Sequence, residues 1–236
     1  MRFIDQFQVI LLDMARTFMF GVDRFAEEED FAATYRGLGG TSLSDDTVQC
    51  CLRRTVAQMQ ADYDRWDMFR PFPSVRQYLQ TCPQAQDFPL GAVALLEQTV
   101  ALHEVGTIPA SHAATLWRLR QTHRLGVLSD IFAPSAVFLR EFRRAGVLDL
   151  FDMVLFSSEH GYIKPSPFPF RQACEGFQVA ASQIVYVGDS FERDIVGAHG
   201  AGLATVWITS DQQPGQAGIR PDGVIAALPE LGRVSV

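Results

Sequence analysis

The chain has 236 residues, of which 47% are apolar, so it can bury a sizeable core as one α/β domain or as one domain with an insertion. Its formal net charge of −7 at pH 7 argues against nucleic acid or an anionic membrane as the main partner. No window approaches the roughly 18 uncharged apolar residues of a membrane span, and the first residues lack the apolar segment of a signal peptide. We therefore expect a soluble cytoplasmic protein.

The first predicted element is a strand at residues 9–12, which are all apolar and are followed directly by Asp13. A run that is apolar at every position is typical of a strand covered on both faces, as in the middle of a parallel sheet. Asp13 would then lie at the carboxyl end of the strand, where open α/β sheets place their ligand sites. We interpret Asp13 as a catalytic nucleophile, and the stretch by itself is also compatible with an aspartate that caps the next element.

The next segment, to about residue 107, has the pattern of helices with little strand signal. Its first part, residues 18–25, is aromatic and contains glycine, as in a short hairpin or flap. Helices are predicted over about 27–36, 44–63, 74–80 and 89–104. Because the first strand precedes this helical block, we predict that residues 18–107 form a cap inserted into the sheet domain.

Helices and strands alternate from residue 108 onward. The predicted strands cover residues 125–129, 153–156, 184–187 and 204–208. Helices are predicted at about 111–123, from Pro134 to Gly146, at about 166–176, and before residue 200. Alternation of this kind implies a doubly wound parallel sheet. We therefore predict an α/β fold with a Rossmann-like core of residues 1–17 and 108–236 and an inserted α-helical cap domain of residues 18–107.

Polar residues stand at the ends of the predicted strands or in the loops after them. They read Asp13-Met14-Ala15-Arg16-Thr17, Ser129, Lys164-Pro165 and Gly188-Asp189-Ser190-Phe191-Glu192-Arg193-Asp194. In this order they resemble the motifs of the haloacid dehalogenase superfamily of hydrolases, and the helical block resembles the cap that many members insert between the first and second motifs. Each position is a weak signal by itself, whereas all four in the right order are a strong one. The resemblance covers the whole chain.

The resemblance implies a Mg²⁺-dependent hydrolase, most simply a phosphatase acting on a small organophosphate. A carboxylate such as Asp13 can attack phosphorus and form an aspartyl-phosphate. Phosphoryl transfer also needs positive or donor groups on the other oxygens, which Lys164 and Ser129 would supply. Asp194 would orient Lys164 or hold a metal-bound water. The expected Mg²⁺ ligands are Asp13, the backbone carbonyl of Ala15, Asp189 and Asp194.

Two positions depart from the family's pattern. In the family's phosphatases the residue two after the nucleophile is an aspartate that protonates the leaving group and then activates water, and here it is Ala15. The sequence offers Asp23, Glu27 and His103 as replacement acids and does not rank them. Arg16 stands where the family usually has glycine, and it either changes the turn or binds the anionic substrate as an extra contact.

Other branches of the family were weighed against these motifs. Phosphonatase-like members also carry alanine at this position, but they need a cap lysine, and residues 18–107 contain none. Dehalogenases lack the metal requirement and usually have tyrosine near this position, and the Asp189 and Asp194 pair argues against a dehalogenase-like hydrolase. The alternative from another class is a catalytically weakened phosphate-ligand binder or regulatory protein. Nothing in the sequence identifies the substrate or the oligomeric state.

Overall fold

A computed structural model describes residues 2–83, 87–89, 91–210 and 218–233. Its strands are β1 (Val9–Leu12), β2 (Arg124–Ser129), β3 (Phe151–Phe156), β4 (Ile184–Gly188), β5 (Ala204–Ile208) and β6 (Gly223–Ile225). They form one six-stranded sheet in the order β3-β2-β1-β4-β5-β6, and every pairing is parallel. The strand order reverses between β1 and β4, as in doubly wound folds that bind ligands at this point. The predicted α/β parallel sheet is confirmed.

The central strand β1 is buried along its whole length. Leu12 pairs with Val127 of β2 on one side and with Val187 of β4 on the other. Alternate residues of a strand face opposite sides of a sheet, and Ile10 accordingly packs in one hydrophobic cluster while Leu11 packs in another. Burial on both faces explains why every position of this strand is apolar.

Five of the described α-helices lie between β1 and β2 in the chain, and four follow β2. They are α1 (Phe31–Gly37), α2 (Asp45–Tyr63), α3 (Val75–Gln80), α4 (Ala92–Glu104), α5 (Ala110–Arg120), α6 (Ala136–Arg144), α7 (Ser157–His160), α8 (Pro167–Phe177) and α9 (Val196–Gly200). The first four pack around a hydrophobic cluster that includes Tyr35, Leu52 and Leu96, and that Ala133 and Val137 join from after β2. None of the described helices combines the length and apolarity that crossing a membrane requires.

Two predicted helix starts were wrong. Helix α1 begins at Phe31 rather than near residue 27, because the Asp30 side chain accepts a hydrogen bond from the backbone N–H of Ala33 at 2.8 Å. Helix α6 begins after Ser135, which leaves Pro134 outside the helix rather than as its first residue. Gly146, with φ of 68°, follows α6 in the left-handed conformation that commonly ends helices.

Residues 18–25, all of them described, contain no paired hairpin. Phe20 instead pairs in antiparallel fashion with Thr107 at the far end of the helical block. Phe18 and Met19 are buried in the same cluster as Ile10 of β1. The chain therefore leaves the sheet region and returns to it through adjacent segments, although the boundaries of the predicted cap stay a prediction.

Candidate active site

The carboxyl ends of β1, β2 and β4 bring the predicted site residues to one edge of the sheet. Asp13 directly follows β1, Ser129 ends β2, and Asp189 directly follows β4. Lys164 comes from the loop between α7 and α8, and Asp194 from the first turns after β4. Since the strands are parallel and adjacent, residues far apart in sequence meet here.

The ammonium group of Lys164 is buried between two carboxylates. Its Nζ lies 2.7 Å from Oδ1 of Asp13 and 2.6 Å from Oδ1 of Asp194. It also donates to the hydroxyl of Tyr186 at 3.0 Å, so that its three protons have three acceptors. The Ser129 hydroxyl donates to the same Asp13 oxygen at 2.8 Å. One carboxylate oxygen of Asp13 thus receives two hydrogen bonds, and one of them is charge-assisted.

Asp194 is held by both of its oxygens. The second oxygen, Oδ2, accepts from the backbone N–H of Ser190 at 2.9 Å. Gly188 packs against it so closely that a Cβ there would lie 2.3 Å from the same oxygen. Asp194 belongs to a π-helical turn, Phe191–Ile195, of the kind often found at functional sites. These contacts favour Asp194 as the group that positions Lys164.

Three carboxylates form a candidate metal site. Oxygens of Asp13, Asp189 and Asp194 lie within 4.8 Å of one another. Lys164 lies between Asp13 and Asp194 and the Arg16 guanidinium lies 4.0 Å from Asp189, so the three carboxylates outnumber these two cations. A divalent cation that prefers hard oxygen donors would neutralise the remainder, and Mg²⁺ has this preference. The donor set therefore fits Mg²⁺, and Ala15, the source of the predicted carbonyl ligand, lines the same cavity.

Burial changes the titration of these groups. It raises the pKa of Asp13 to about 7, with Lys164 opposing the rise and the charges of Asp194 and Asp189 adding to it. It also raises the pKa of Asp189 to about 6, again with Asp194 as the neighbouring like charge. Burial opposes the charge of Lys164, but Asp13 and Asp194 outweigh it and hold the pKa of the ammonium well above its usual value. The site therefore keeps its lysine charged while two of its carboxyls titrate near neutral pH.

A cavity of about 170 Å³ lies over these groups. Tyr63 of α2 and Glu104 of α4 reach its wall, so the helical block contributes to the enclosure. A space of this size suits a phosphoryl group with a small leaving group. The other lining residues are Asp13, Ala15, Arg16, Asp23, Ser129, Asp130, Phe132, Lys164, Asp189, Ser190, Arg193 and Asp194.

Arg16 lies at the mouth of the cavity. Its φ of 53° is in the left-handed region that glycine adopts most easily. Its side chain is 65% exposed, and its guanidinium lies 3.8 Å from Oδ2 of Asp23 and 4.0 Å from Oδ2 of Asp189. Both distances exceed those of a hydrogen bond. Arg16 therefore keeps the glycine-like turn and adds a cation beside two carboxylates.

The three candidate replacement acids lie in different places. Asp23 lines the cavity. His103 is buried in the helical block, where its Nε2 lies 2.8 Å from Oγ1 of Thr34 and its Nδ1 lies 3.2 Å from the carbonyl oxygen of Arg24. Glu27 is exposed and does not line the cavity. The positions favour Asp23 among the three.

The helical block is connected to the loop that carries Lys164 by three residues, Asp130, Tyr63 and Arg193. The sequence analysis assigned none of them to the site. Tyr63 donates its hydroxyl to Asp130 at 2.9 Å, and the backbone N–H of Lys164 donates to both oxygens of the same carboxylate at 3.1 Å. Arg193 donates to the carbonyl oxygens of Lys164 and Tyr63, each at 2.8 Å. Its guanidinium carbon lies 3.5 Å from the centre of the Tyr63 ring, a cation–π contact. The adjacency of Asp130 to Ser129 was the available signal.

Glu104, at the end of α4, was also missed. Its two oxygens accept from the backbone N–H groups of Phe132 and Ala133, the latter at 2.9 Å. Burial raises the pKa of its carboxyl to about 8, although the two N–H groups favour the ionised form. No sequence signal marks Glu104, because its partners belong to a loop that follows it by almost 30 residues.

Comparison with known proteins gives both sequence and fold relatives. A family model described as haloacid dehalogenase-like hydrolase matches residues 44–208. Pyrimidine 5'-nucleotidase YjjG of Escherichia coli (strain K12) is 32% identical over 132 residues, which cover 56% of this chain and 58% of that protein's length. The chain thus matches a little over half of this relative.

Two solved structures superpose over nearly the whole chain. A HAD phosphatase from Thermococcus onnurineus has a TM-score of 0.64 at 24% identity, with 96% of each chain covered. A 2-haloacid dehalogenase from Pseudomonas syringae pv. Tomato DC3000 has a TM-score of 0.63 at 24% identity, with 96% of this chain and 97% of that chain covered. At these identities the superpositions establish a shared fold, and a phosphatase and a dehalogenase fit it equally well.

Proposed function

Because the chain belongs to the haloacid dehalogenase-like hydrolases, we propose that this hydrolase is a Mg²⁺-dependent phosphatase that acts on a small organophosphate through an aspartyl-phosphate at Asp13. One observation carries the proposal. The Asp13 carboxylate lines the cavity, with Lys164 Nζ at 2.7 Å and Ser129 Oγ at 2.8 Å. A nucleophile beside a fixed positive charge and a hydroxyl donor is what phosphoryl transfer requires, since catalysis there is mostly positioning and charge stabilisation.

Each residue of the site would have a separate role in this reaction. An oxygen of Asp13 attacks phosphorus while the bond to the leaving oxygen breaks. Ser129 and Lys164 bind the other phosphoryl oxygens, and Asp194 positions Lys164. When bound, Mg²⁺ supplies neutralisation of the phosphate charge. Its proposed ligands are Asp13, the carbonyl of Ala15, Asp189 and Asp194.

Ala15 limits what this arrangement can do by itself. It has no group to protonate the leaving oxygen, and general acid–base help of this kind is typically worth roughly 10²–10⁴-fold. That range corresponds to about 3–5 kcal/mol of barrier. We therefore expect acyl and aryl phosphates, whose leaving groups need no proton, to react faster than alkyl phosphates.

The helical block is the proposed cap. We assign residues 18–107 to the cap and residues 1–17 and 108–236 to the core, which is supported by the hydrophobic cluster that α1 to α4 form mostly among themselves. Tyr63 and Glu104 reach the cavity from this block, so the cap would contribute to substrate choice. Ala15 also favours a second candidate function, a phosphate-ligand binder with little turnover.

Hydrolysis of a panel of phosphates tests the proposal. The panel contains acyl, aryl and alkyl phosphates, each with Mg²⁺ and with EDTA, and compares the wild type with Asp13→Asn. We expect Mg²⁺-dependent turnover by the wild type, none by Asp13→Asn, and a phosphoryl group on Asp13 detectable by mass spectrometry of the quenched enzyme. Phosphate binding without turnover or a trapped intermediate would support the binder, and release of halide from a 2-haloacid would support a dehalogenase.

A further inference from the structure

Six carboxylates line the cavity, and they differ in whether their oxygens are already engaged. Four accept hydrogen bonds from neighbouring groups: Asp13, Glu104, Asp130 and Asp194. Of the other two, Asp189 belongs to the candidate metal cluster. Asp23 accepts no hydrogen bond from the described residues, and the Arg16 guanidinium beside it lies 3.8 Å away. Asp23 is therefore a carboxylate that is held near the substrate space but is free to exchange a proton.

The backbone of Asp23 is fixed although its side chain is free. Its N–H donates to the carbonyl oxygen of Glu104 at 3.0 Å, and its carbonyl oxygen accepts from the N–H of Phe25 at 2.8 Å. Its φ is 55°, in the left-handed region that aspartate and asparagine tolerate better than most residues. These contacts anchor Asp23 to the end of α4 and hold its carboxylate at the cavity.

Glu104 lines the same cavity and provides the informative contrast. Both of its oxygens accept backbone N–H groups, from Phe132 and Ala133. To reach a leaving group it would have to abandon two buried donors, each costly to leave unpaired. The oxygens of Glu104 are thus occupied by structural hydrogen bonds, whereas those of Asp23 are not.

We propose that Asp23 is the catalytic acid and base of this enzyme, taking the part that Ala15 cannot play. The proposal rests on the phosphatase function proposed above. As an Asp13 oxygen bonds to phosphorus, the phosphorus–oxygen bond to the leaving group breaks, and the Asp23 carboxyl gives its proton to that oxygen. The Asp23 carboxylate then takes a proton from water while the water oxygen bonds to phosphorus. The bond from phosphorus to Asp13 breaks, which releases inorganic phosphate and restores both carboxyl groups.

The electrostatic surroundings of Asp23 support a carboxyl that can hold a proton. Burial raises its pKa, and the Arg16 guanidinium opposes the rise. Glu104 is the other titratable group that interacts with it. A carboxyl whose pKa is raised towards the working pH is better suited to serve as donor in one step and acceptor in the next.

Asp23→Asn tests the proposal through its dependence on the leaving group. Asparagine keeps the left-handed backbone and nearly the same shape, but it cannot transfer the proton. We expect kcat for alkyl phosphates to fall by roughly 10²–10⁴-fold, while kcat for acetyl phosphate falls by less than about tenfold. Glu27→Gln, the same acid-to-amide change at an exposed residue outside the cavity, should leave both rates unchanged. Should the asparagine variant not fold, Asp23→Gly serves, because glycine also accepts this backbone.

The double variant Ala15→Asp/Asp23→Asn completes the test. It returns an acid to the position where the family has one, so the rate on alkyl phosphates should recover while that on acetyl phosphate changes little. Equal losses on all leaving groups in Asp23→Asn, or no loss on any, would overturn the role of Asp23 and leave the phosphatase assignment standing. A wild type that turns over no phosphate at all would overturn the proposed function itself.

Discussion

Lys164 is the single lysine in a chain with 19 arginines, and its surroundings explain why an arginine would not serve. A compact ammonium has three protons, and the three acceptors here are Asp13, Asp194 and Tyr186. A planar guanidinium carries five donors in a fixed fork and would leave some of them unpaired in this buried space. The position of Asp194, and with it that of the lysine, depends in turn on Gly188.

Gly188→Ala should therefore damage the site without changing Asp13, the proposed nucleophile. The new Cβ would lie 2.3 Å from Oδ2 of Asp194, so the carboxylate must move and Lys164 loses an acceptor. We expect a loss of about 1–3 kcal/mol in the free energy of unfolding, measured by urea denaturation, and a large fall in turnover. Gly37→Ala is the matched control, since a Cβ there meets no atom within 4 Å. Wild-type turnover by Gly188→Ala would contradict this dependence on Asp194.

The sequence predicts which residues come together at the site better than it predicts the hydrogen bonds that hold them in position. Asp13 and Ser129 follow apolar strands, so their meeting at one sheet edge could be predicted. Tyr186 lies inside a strand, and its pattern indicates packing rather than a hydroxyl that donates to a backbone carbonyl and accepts from Lys164. Support of this kind depends on side chains that only the folded chain brings together.

At the scale of elements, Glu104 attaches the end of α4 to the loop after β2. Its oxygens accept the N–H groups of Phe132 and Ala133, which would otherwise be buried without partners. The Asp30 side chain likewise sets the start of α1, which the sequence pattern placed about one turn too early. Contacts of this kind depend on the relative placement of two elements, which one-dimensional patterns do not contain.

Glu104→Gln tests this attachment. An amide can accept with its oxygen but not with its nitrogen, so one N–H loses its partner, at a cost of about 1–3 kcal/mol. Burial raises the pKa of Glu104 to about 8, above its ordinary value of 4.5. Its stabilising contribution is therefore fully present at low pH and is lost as pH rises towards 8.

The stability advantage of the wild type over Glu104→Gln should consequently narrow between pH 5 and pH 8. Urea denaturation across this range measures it, with the exposed Glu28→Gln as the control that should differ little from the wild type at any pH. A difference that stays constant with pH would mean that Glu104 does not titrate in this window.

At the scale of the whole molecule, folding brings the carboxylates of Asp13, Asp189 and Asp194 together, and the neighbouring cations do not fully neutralise them. Burial raises the pKa of Asp13 to about 7 and that of Asp189 to about 6. Both values lie above those of the unfolded chain, so these carboxyls favour the folded state at low pH and lose that contribution as pH rises through the neutral range. Mg²⁺, the metal proposed for this site, would bind the deprotonated forms and compensate for that loss.

The rise in melting temperature caused by Mg²⁺ should therefore be larger at pH 8 than at pH 5.5. Free Mg²⁺ at ten times its Kd stabilises the folded state by about 1.4 kcal/mol, which is about 3–6 °C for a chain of this size. Thermal melts with and without Mg²⁺ at the two pH values measure it, and Asp189→Asn should abolish most of the increment. Equal increments at both pH values would argue against carboxylates that titrate in this range.

The sequence predicts that the sheet is parallel, but it does not predict the order of the strands. Continuous apolar runs indicate buried parallel strands, and five of the six described strands were found in this way. Strand β6 has three residues and an exposed middle position, Val224, so it carries too little pattern to be recognised. The strand order follows from pairing between distant segments, such as Leu12 with Val187.

The central place of β1 also governs when the site can form during synthesis. Ser129 follows Asp13 by 116 residues and Lys164 follows it by 151. At roughly 5–20 residues per second a ribosome needs roughly 8–30 s to add that length of chain. Until β2 has been made, β1 is an apolar segment without either of its neighbours in the sheet, while α1 to α4, which all precede β2, can already pack with one another. Asp13, the proposed nucleophile, is therefore synthesised well before Ser129 and Lys164, the residues it contacts in the folded site.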